Sequence, residues 1–176
     1  MQKYHASTPH AEVIGAALKA YETALEFDQF QHVLHEHDLT EIDAETWYPQ
    51  QLTLDIQQAI KSTDGGSQML VSVGMKIIES AKFPPMNSLE EAVNAFAASY
   101  PMNFRNQSED DIIYADIIDA HNIRVVNASP HSDDMIYGYI YALAKRFTPE
   151  GARPVVSYED IGKRDSDADT VFLIEY

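Results

Sequence analysis

"SLEEAVNAFAASYPMNFRNQ" (residues 88–107) falls into two halves, and the first half sets the reading of the chain around it. Ser88 and Glu91 have capping-box spacing, in which a serine oxygen accepts the N–H of the residue three positions on and starts a helix. Leu89, Ala92, Val93, Phe96 and Ala97 recur at i, i+3, i+4, i+7 and i+8, so one face of that helix is expected in a core. Pro101 has no N–H to continue the ladder. The second half is polar and aromatic, with Tyr100, Asn103, Phe104, Arg105 and Asn106 close together. An arginine beside a tyrosine at a helix exit has two readings. It anchors its own loop, or it meets the carboxylate of a ligand.

Before this stretch the periodicity is helical. In "AEVIGAALKAYETALEF" (11–27), Val13, Ala17, Tyr21, Ala24 and Leu25 share a face. A second short helix is expected over 29–37. Pro49 pushes Tyr48 toward an extended conformation. Leu52, Ile56, Ala59 and Ile60 mark a helix that ends at "STDGG" (62–66). "SQMLVSVGMKIIESA" (67–81) begins at Ser67 as a cap and carries Leu70, Val73, Ile77 and Ile78, and "FPP" (83–85) stops it.

After residue 107 the period changes. "DIIYADIIDA" (111–120) and "IRVVNA" (123–128) read as two strands joined by a turn at Ala120, His121 and Asn122. "HSDDMIYGYIYALAKRF" (131–147) is a long helix capped by Ser132 or Asp133. Its stripe is Met135, Ile136, Tyr139, Ile140, Leu143 and Phe147, and Lys145 and Arg146 sit where the helix dipole favours cations. "RPVVSYED" and "TVFLIEY" add two strands around the loop "GKRDSDAD". The fold class is α+β: an N-terminal helical layer followed by a four-stranded antiparallel β-β-α-β-β sheet module. One domain is expected over 1–176, mainly helical over 1–87, with a helix and the β-β-α-β-β part over 88–176.

Composition narrows the function classes. The 176 residues are 45% hydrophobic and carry a formal net charge of −16. Such a field repels a nucleic-acid backbone and an anionic membrane surface. The absence of cysteine removes disulfides, thiolate zinc sites and cysteine nucleophiles. No basic start followed by an apolar run marks a signal peptide, and no apolar run is long enough to span a bilayer, so a cytoplasmic protein without membrane insertion is expected.

Three groups of side chains invite chemistry. "HVLHEHD" places His32 and His35 three apart, with His37 and Asp38 beside them, a donor set first-row metals accept. It lacks the H-E-x-x-H spacing, and a solvated helix end accounts for it equally. "ASPHSDDM" holds Ser129, His131, Ser132, Asp133 and Asp134. A serine, a histidine and an acid suggest a triad, but near neighbours in one loop seldom adopt that geometry, and helix capping explains most of the stretch. Tyr137 and Tyr141, spaced i and i+4, share a face of the long helix. They read as packing or as the phenolic wall of a pocket, and Trp47 and Tyr48 admit the same pair of readings. Gly138 between the tyrosines permits a close neighbour. No catalytic constellation is evident, so no enzyme is expected.

The order of pieces is itself informative. "WYP", "FPPMNSLEEAVNAFAASYPMNFR", two strands, "PHSDDMIYGYIYALAKRF" and the last strand "VFLIEY" together resemble the haem-NO-binding (H-NOX)-like superfamily. That superfamily includes four-vinyl-reductase ligand-binding domains and, more distantly, TRAPP trafficking subunits. The resemblance implies an H-NOX-like fold and a pocket between the helical layer and the sheet. In haem-binding members the iron ligand is a histidine in the helix before a "YP" dipeptide. Here that helix holds no histidine, and anchoring on Tyr100 and Pro101 puts Val93 near the ligand position. The propionate motif Y-x-S-x-R has as its counterpart "VVNASPHSDD", without the tyrosine or the arginine. Haem is therefore considered as a cofactor but not favoured, although His121 or His131 is available in principle. The resemblance implies a small-molecule-binding sensory or regulatory domain, taking a small hydrophobic or aromatic ligand near Val93, Phe96, Tyr100, Arg105, Tyr137 and Tyr141. A haem-based gas sensor, and a dimeric interaction module built on "YGYIYAL", are the alternatives, and a homodimer fits the first and last of these readings.

Overall fold

The computed structural model describes residues 1–24, 35–36 and 41–176. Three short strands tie the N-terminal part together. β1 (Glu12–Ile14) lies between β2 (Trp47–Pro49) and β3 (Phe104–Arg105), antiparallel to both, with Val13 opposite Tyr48 on one side and Phe104 on the other. The expected helix over 11–27 therefore opens as a strand, and α1 runs over Gly15–Ala24. The physical reason is non-local: β1 satisfies its backbone across the sheet, and the loop before β2 closes on the start of α1. Gly15 N donates to Thr46 O and Ala16 N to Ala44 O, and a Cβ on Gly15 would stand 1.9 Å from Asp43 O. Only glycine fits there. Of the short helix expected over 29–37, only residues 35–36 are described, and they are helical.

α2 (Gln50–Lys61) and α3 (Gly66–Ser80) follow. Gly65, with φ +76°, turns the chain into α3 as its N-cap, so the cap is not Ser67. Ser67 sits in the first turn, where its hydroxyl accepts from Arg164 at 3.0 Å. α4 (Leu89–Ser99) starts as its capping box predicts, Ser88 Oγ accepting from Glu91 N at 3.2 Å. A 3-10 turn over Tyr100–Asn103 leads into β3.

The C-terminal part has the expected β-β-α-β-β order. β4 (Ile113–Asp119), β5 (Asn122–Asn127), β6 (Val155–Tyr158) and β7 (Thr170–Glu175) form an antiparallel sheet in the order β4-β5-β7-β6. α5 (Asp133–Phe147) crosses its inner face. The β4–β5 turn is Ala120–His121, and Asn122 already pairs with Asp119.

α5 also packs against α3, and two glycines set how closely. A Cβ on Gly74 would stand 2.3 Å from Met135 O, and one on Gly138 would stand 2.2 Å from Val71 O. The two backbones touch where any side chain would hold them apart. At the far end Arg146 donates to Ile78 O and Ala81 O, the terminal carbonyls of α3, and lies over the Phe83 ring. The cation predicted for the α5 dipole therefore also serves the neighbouring helix.

α5 divides two hydrophobic clusters. Ile136, Ile140 and Leu143 join Val93, Val125, Phe172 and Ile174 on the sheet side. Met135 joins Val13, Leu18, Tyr21, Ile56 and Leu70 on the helical side. Among the described residues, no helix is long and apolar enough to cross a membrane.

Candidate functional site

The helical side contains a cavity of about 570 Å³. α1 contributes Ala16, Ala17 and Ala20, and the shortness of these side chains makes the space. Ile77, Phe83, Met86, Phe96, Phe104, Met135 and Tyr139 supply the remaining apolar wall. Lys82, exposed, is the one formally charged side chain among the described lining residues and marks the open end. Tyr21, Thr53 and His131, all buried, mark the inner end.

Gln57 organises that inner end. Its side-chain oxygen accepts from Ser132 N at 2.8 Å, which settles which end of the amide is which. Its Nε2 then has two hydrogens to give, one to Tyr21 Oη at 2.7 Å and one to His131 Nδ1 at 2.8 Å. A ring nitrogen facing an N–H must be the unprotonated one, so neutral His131 carries its proton on Nε2. Burial drives its pKa down to about 4, with Asp111 opposing and Lys3 assisting, so the ring is uncharged near neutral pH. Nε2 has no hydrogen-bond partner, and neither has Thr53 Oγ1. Both atoms have almost no accessible surface, so they lie behind the cavity wall. Tyr21 Oη is satisfied, donating to Met135 Sδ at 3.0 Å, and burial raises its pKa well above the ordinary value, as it also raises that of Tyr139.

The expected ligand contacts are distributed unevenly. Phe96 and Tyr100 line the cavity. The Tyr100 hydroxyl is already committed, donating to the buried Asp111 at 2.6 Å, so this residue offers its ring and not its phenol. Val93 is fully buried and lies off the cavity, because its turn of α4 faces the sheet-side core. Tyr137 and Tyr141 point away from the cavity: their rings stack at 6.2 Å, and Tyr137 stacks on Tyr158 at 5.6 Å and donates to Val156 O. The two-residue offset to Tyr139 turns that side chain to the cavity instead. The pocket consequently lies within the helical layer and takes nothing from the four-stranded sheet, in contrast to the expected position between the two layers.

Arg105 resolves in favour of the anchoring reading. It is exposed, grips Glu12 at 2.6 Å and 3.1 Å through Nε and Nη2, and lies 4.5 Å over the Trp47 ring. It thus staples β3 across β1 to β2. Ser129, His131 and Asp133 do not form a relay. Ser129 Oγ donates to Asn127 Oδ1, His131 Nδ1 faces Gln57, and Asp133 holds Lys3. His32, His37 and Asp38 lie outside the described residues, and His35 is exposed.

Asp133, a candidate cap, and its neighbour Asp134, both weighed as the acid of a triad, prove to be buried carboxylates. Asp133 accepts from Lys3, Asn127, Thr170 and Asp165 N, and Asp134 pairs with Lys61 and Arg164. Their charges sit at the positive end of the α5 dipole. Together they pin the N-terminal segment, α2 and the loop before β7 around the turn that presents His131. Sequence spacing carries no signal for this network, since Lys3 and Asp133 are 130 positions apart.

Haem, the group the resemblance brings to mind, does not fit these residues. A histidine that binds iron through Nε2 presents a bare lone pair there and gives its Nδ1 proton to an acceptor. His131 has the opposite polarity, with Nδ1 accepting and Nε2 protonated. α4 offers no histidine, and Lys82 is the one cation among the described lining residues that could meet a propionate.

No family profile matches the sequence, and no curated protein matches it. Solved structures do. A doubly substituted Tt H-NOX superposes with a TM-score of 0.67 at 11% identity, over 93% of this chain and 94% of that one. An oxygen-binding H-NOX domain related to soluble guanylate cyclases, in its oxygen complex, gives 0.60 at 12% identity over 92% of this chain and 91% of that one. An unliganded Fe(II) H-NOX variant from K. algicida gives 0.62 at 11% over 92% and 95%. At identities this low the likeness is one of architecture, and the chain has the fold of an H-NOX domain.

Proposed function

We propose that this chain is a small-molecule-binding sensory or regulatory domain, in which a ligand other than haem occupies the cavity of the helical layer. The observation that carries the reading is the cavity itself, about 570 Å³ with a mainly apolar wall and Tyr21, Thr53 and His131 at its inner end. Apolar cavities with a few convergent polar groups are the usual form of small-molecule sites. The polar machinery around the cavity is spent on holding side chains in place, which suits a binding module better than an enzyme. The cavity is also next to the α3–α5 backbone contact, so a ligand bearing on Met135 or Tyr139 presses on the helix that carries the sheet.

One similar structure concerns haem distortion in the H-NOX family, and another is an oxygen-binding H-NOX domain in its oxygen complex. The gas-sensor reading transfers that chemistry to this chain and requires an iron ligand other than a protonated His131 Nε2. Titrating the purified protein with haem separates the two. We expect no stoichiometric uptake and no shifted Soret band, and native mass spectrometry should instead show adducts with small apolar molecules. Stoichiometric haem with a shifted Soret band would return the gas-sensor reading. An empty protein that ignores apolar, aromatic and tetrapyrrole ligands alike would remove the binding role.

A further inference from the structure

We infer that the free edge of β4 is a docking site for an extended, basic segment of a partner protein. That segment adds to the four-stranded sheet as a fifth, antiparallel strand.

The sheet ends at β4 on one side and at β6 on the other. Ala128 N donates to Ile112 O, and the register runs on through Ile113 opposite Asn127 and Tyr114 opposite Val126. Ladder bonds of an antiparallel pair alternate along the strand, so Tyr114 and Asp116 give theirs to β5. The N–H and C=O groups of Ala115 and Ile117 therefore point away from β5. None of them takes a backbone partner beyond the ladder among the described residues. Ile113 is buried and the register shifts after Ile117, so the open stretch is short.

Its surroundings are apolar and uncovered. Tyr114 is 39% exposed, Ile117 42% and Ile118 57%. An open edge with exposed apolar side chains is a template for another strand, and proteins commonly blunt such edges with lysine or proline. The other edge strand, β6, has Pro154 immediately before it. β4 contains neither residue, and neither does the segment from Asn106 that leads into it.

Charge selects the occupant. Between Arg105 and Arg124 the chain has no lysine or arginine, and Glu109, Asp110, Asp116 and Asp119 are exposed acids. Arg124 reaches Asp116 at 3.5 Å but shares its charge with Glu159, also at 3.5 Å. A second copy would bring the same acids to the same edge, and like charges across a strand pair are destabilising. A partner with lysine or arginine on the outer face meets Asp116. Its alternate, apolar residues extend the cover over Ala115 and Ile117, and its backbone takes up their free groups.

The probe is the peptide acetyl-Lys-Val-Lys-Val-Lys-Val-amide, titrated into the intact protein at low salt and followed by amide hydrogen exchange. The Ala115 and Ile117 amides should exchange fast in the free protein and slow by about tenfold or more with peptide. Tyr114 and Asp116, already bonded to β5, should change little. The same peptide N-methylated at its valines keeps its charge and loses the N–H groups that face β4. It should bind about tenfold more weakly. A peptide with glutamate in place of lysine should not bind, and Asp116→Asn should weaken the lysine peptide several-fold.

Equal binding of the N-methylated peptide reduces the effect to charge and overturns the inference. Equal binding of the glutamate peptide, or no binding of the lysine peptide, overturns it as well. Slow exchange of Ala115 and Ile117 in a self-associated free protein assigns the edge to a second copy and also overturns it. The cavity reading stands or falls separately from all of these results.

Discussion

The two faces of α5 carry similar side chains and do opposite things. On the sheet side, Tyr137 stacks between Tyr141 and Tyr158, tilts against Phe172 and donates to a strand carbonyl. On the helical side, Tyr139 tilts against Phe96 and borders open space. The difference lies in what each face meets. A sheet supplies large side chains at every second position of each strand, and they fill the gaps between the aromatics. α1 supplies alanines at the corresponding places, and its standoff is held by β1 and by the glycine contact of α3 with α5. The filled face stabilises the protein, and the unfilled face is available for binding.

Removing an aromatic ring from each face sharpens this contrast. Phe172→Ala empties a fully buried site and should cost about 4 kcal/mol of unfolding free energy, read from urea denaturation. Phe96 already borders a void, so much of its contact is absent in the unsubstituted protein. Phe96→Ala should cost roughly 1–2 kcal/mol, below the usual range for a buried phenylalanine. Equal losses would mean that the cavity wall is packed as tightly as the sheet side.

Between these two lies a pH effect seated in the cavity. His131 has its pKa lowered from 6.5 to about 4 by burial. Between those values the unfolded chain holds a proton that the folded protein lacks, so acidification favours unfolding. His131 should contribute about 3 kcal/mol of stability that is present above the upper value, falls as pH drops through the window, and declines no further below the lower one. Urea unfolding of His131→Gln across the same range should give a flatter dependence than the unsubstituted protein. Identical slopes would place the proton elsewhere.

The smallest effect is expected at Arg105. Its pair with Glu12 is exposed, and such pairs contribute little. Arg105→Ala should leave ligand binding unchanged and thermal stability close to that of the parent. A loss of affinity would bring back the carboxylate contact that its anchoring role has displaced.

The legible part of the molecule is the part with local causes. The capping pair Ser88 and Glu91, the apolar stripe of α4 and the change of period at the β4–β5 hairpin each depend on neighbours a few positions away, and each was legible in spacing. So was the α5 stripe, with Tyr139 and Phe147 only partly buried. The small β2-β1-β3 sheet was not read, because three strands of two or three residues have no periodicity to detect. Gly65 displaced Ser67 as a cap because a left-handed turn was needed there, a demand set by how α2 meets α3.

The site divides along the same line. The resemblance points to Phe96 and Tyr100, and both line the cavity. Val93, Tyr137 and Tyr141 lie on faces that turn to the sheet side. Periodicity tells that a face is buried but not against which neighbour. His131 could be singled out only as one member of a suggestive loop.

From the sequence alone come the α+β class, the order of elements, the missing histidine in α4 and the resemblance to the H-NOX fold. The class and the order follow from periodicity and caps, which act over a few positions, and the missing histidine carries meaning only through the resemblance. Only the tertiary structure decided that Asp133 and Asp134 are buried at the start of α5, that a cavity stands inside the helical layer, and that the Gln57 amide leaves a hydrogen on His131 Nε2. Each of those depends on partners brought together from distant positions, and the direction of one amide 74 residues away determines which nitrogen of the histidine carries its proton.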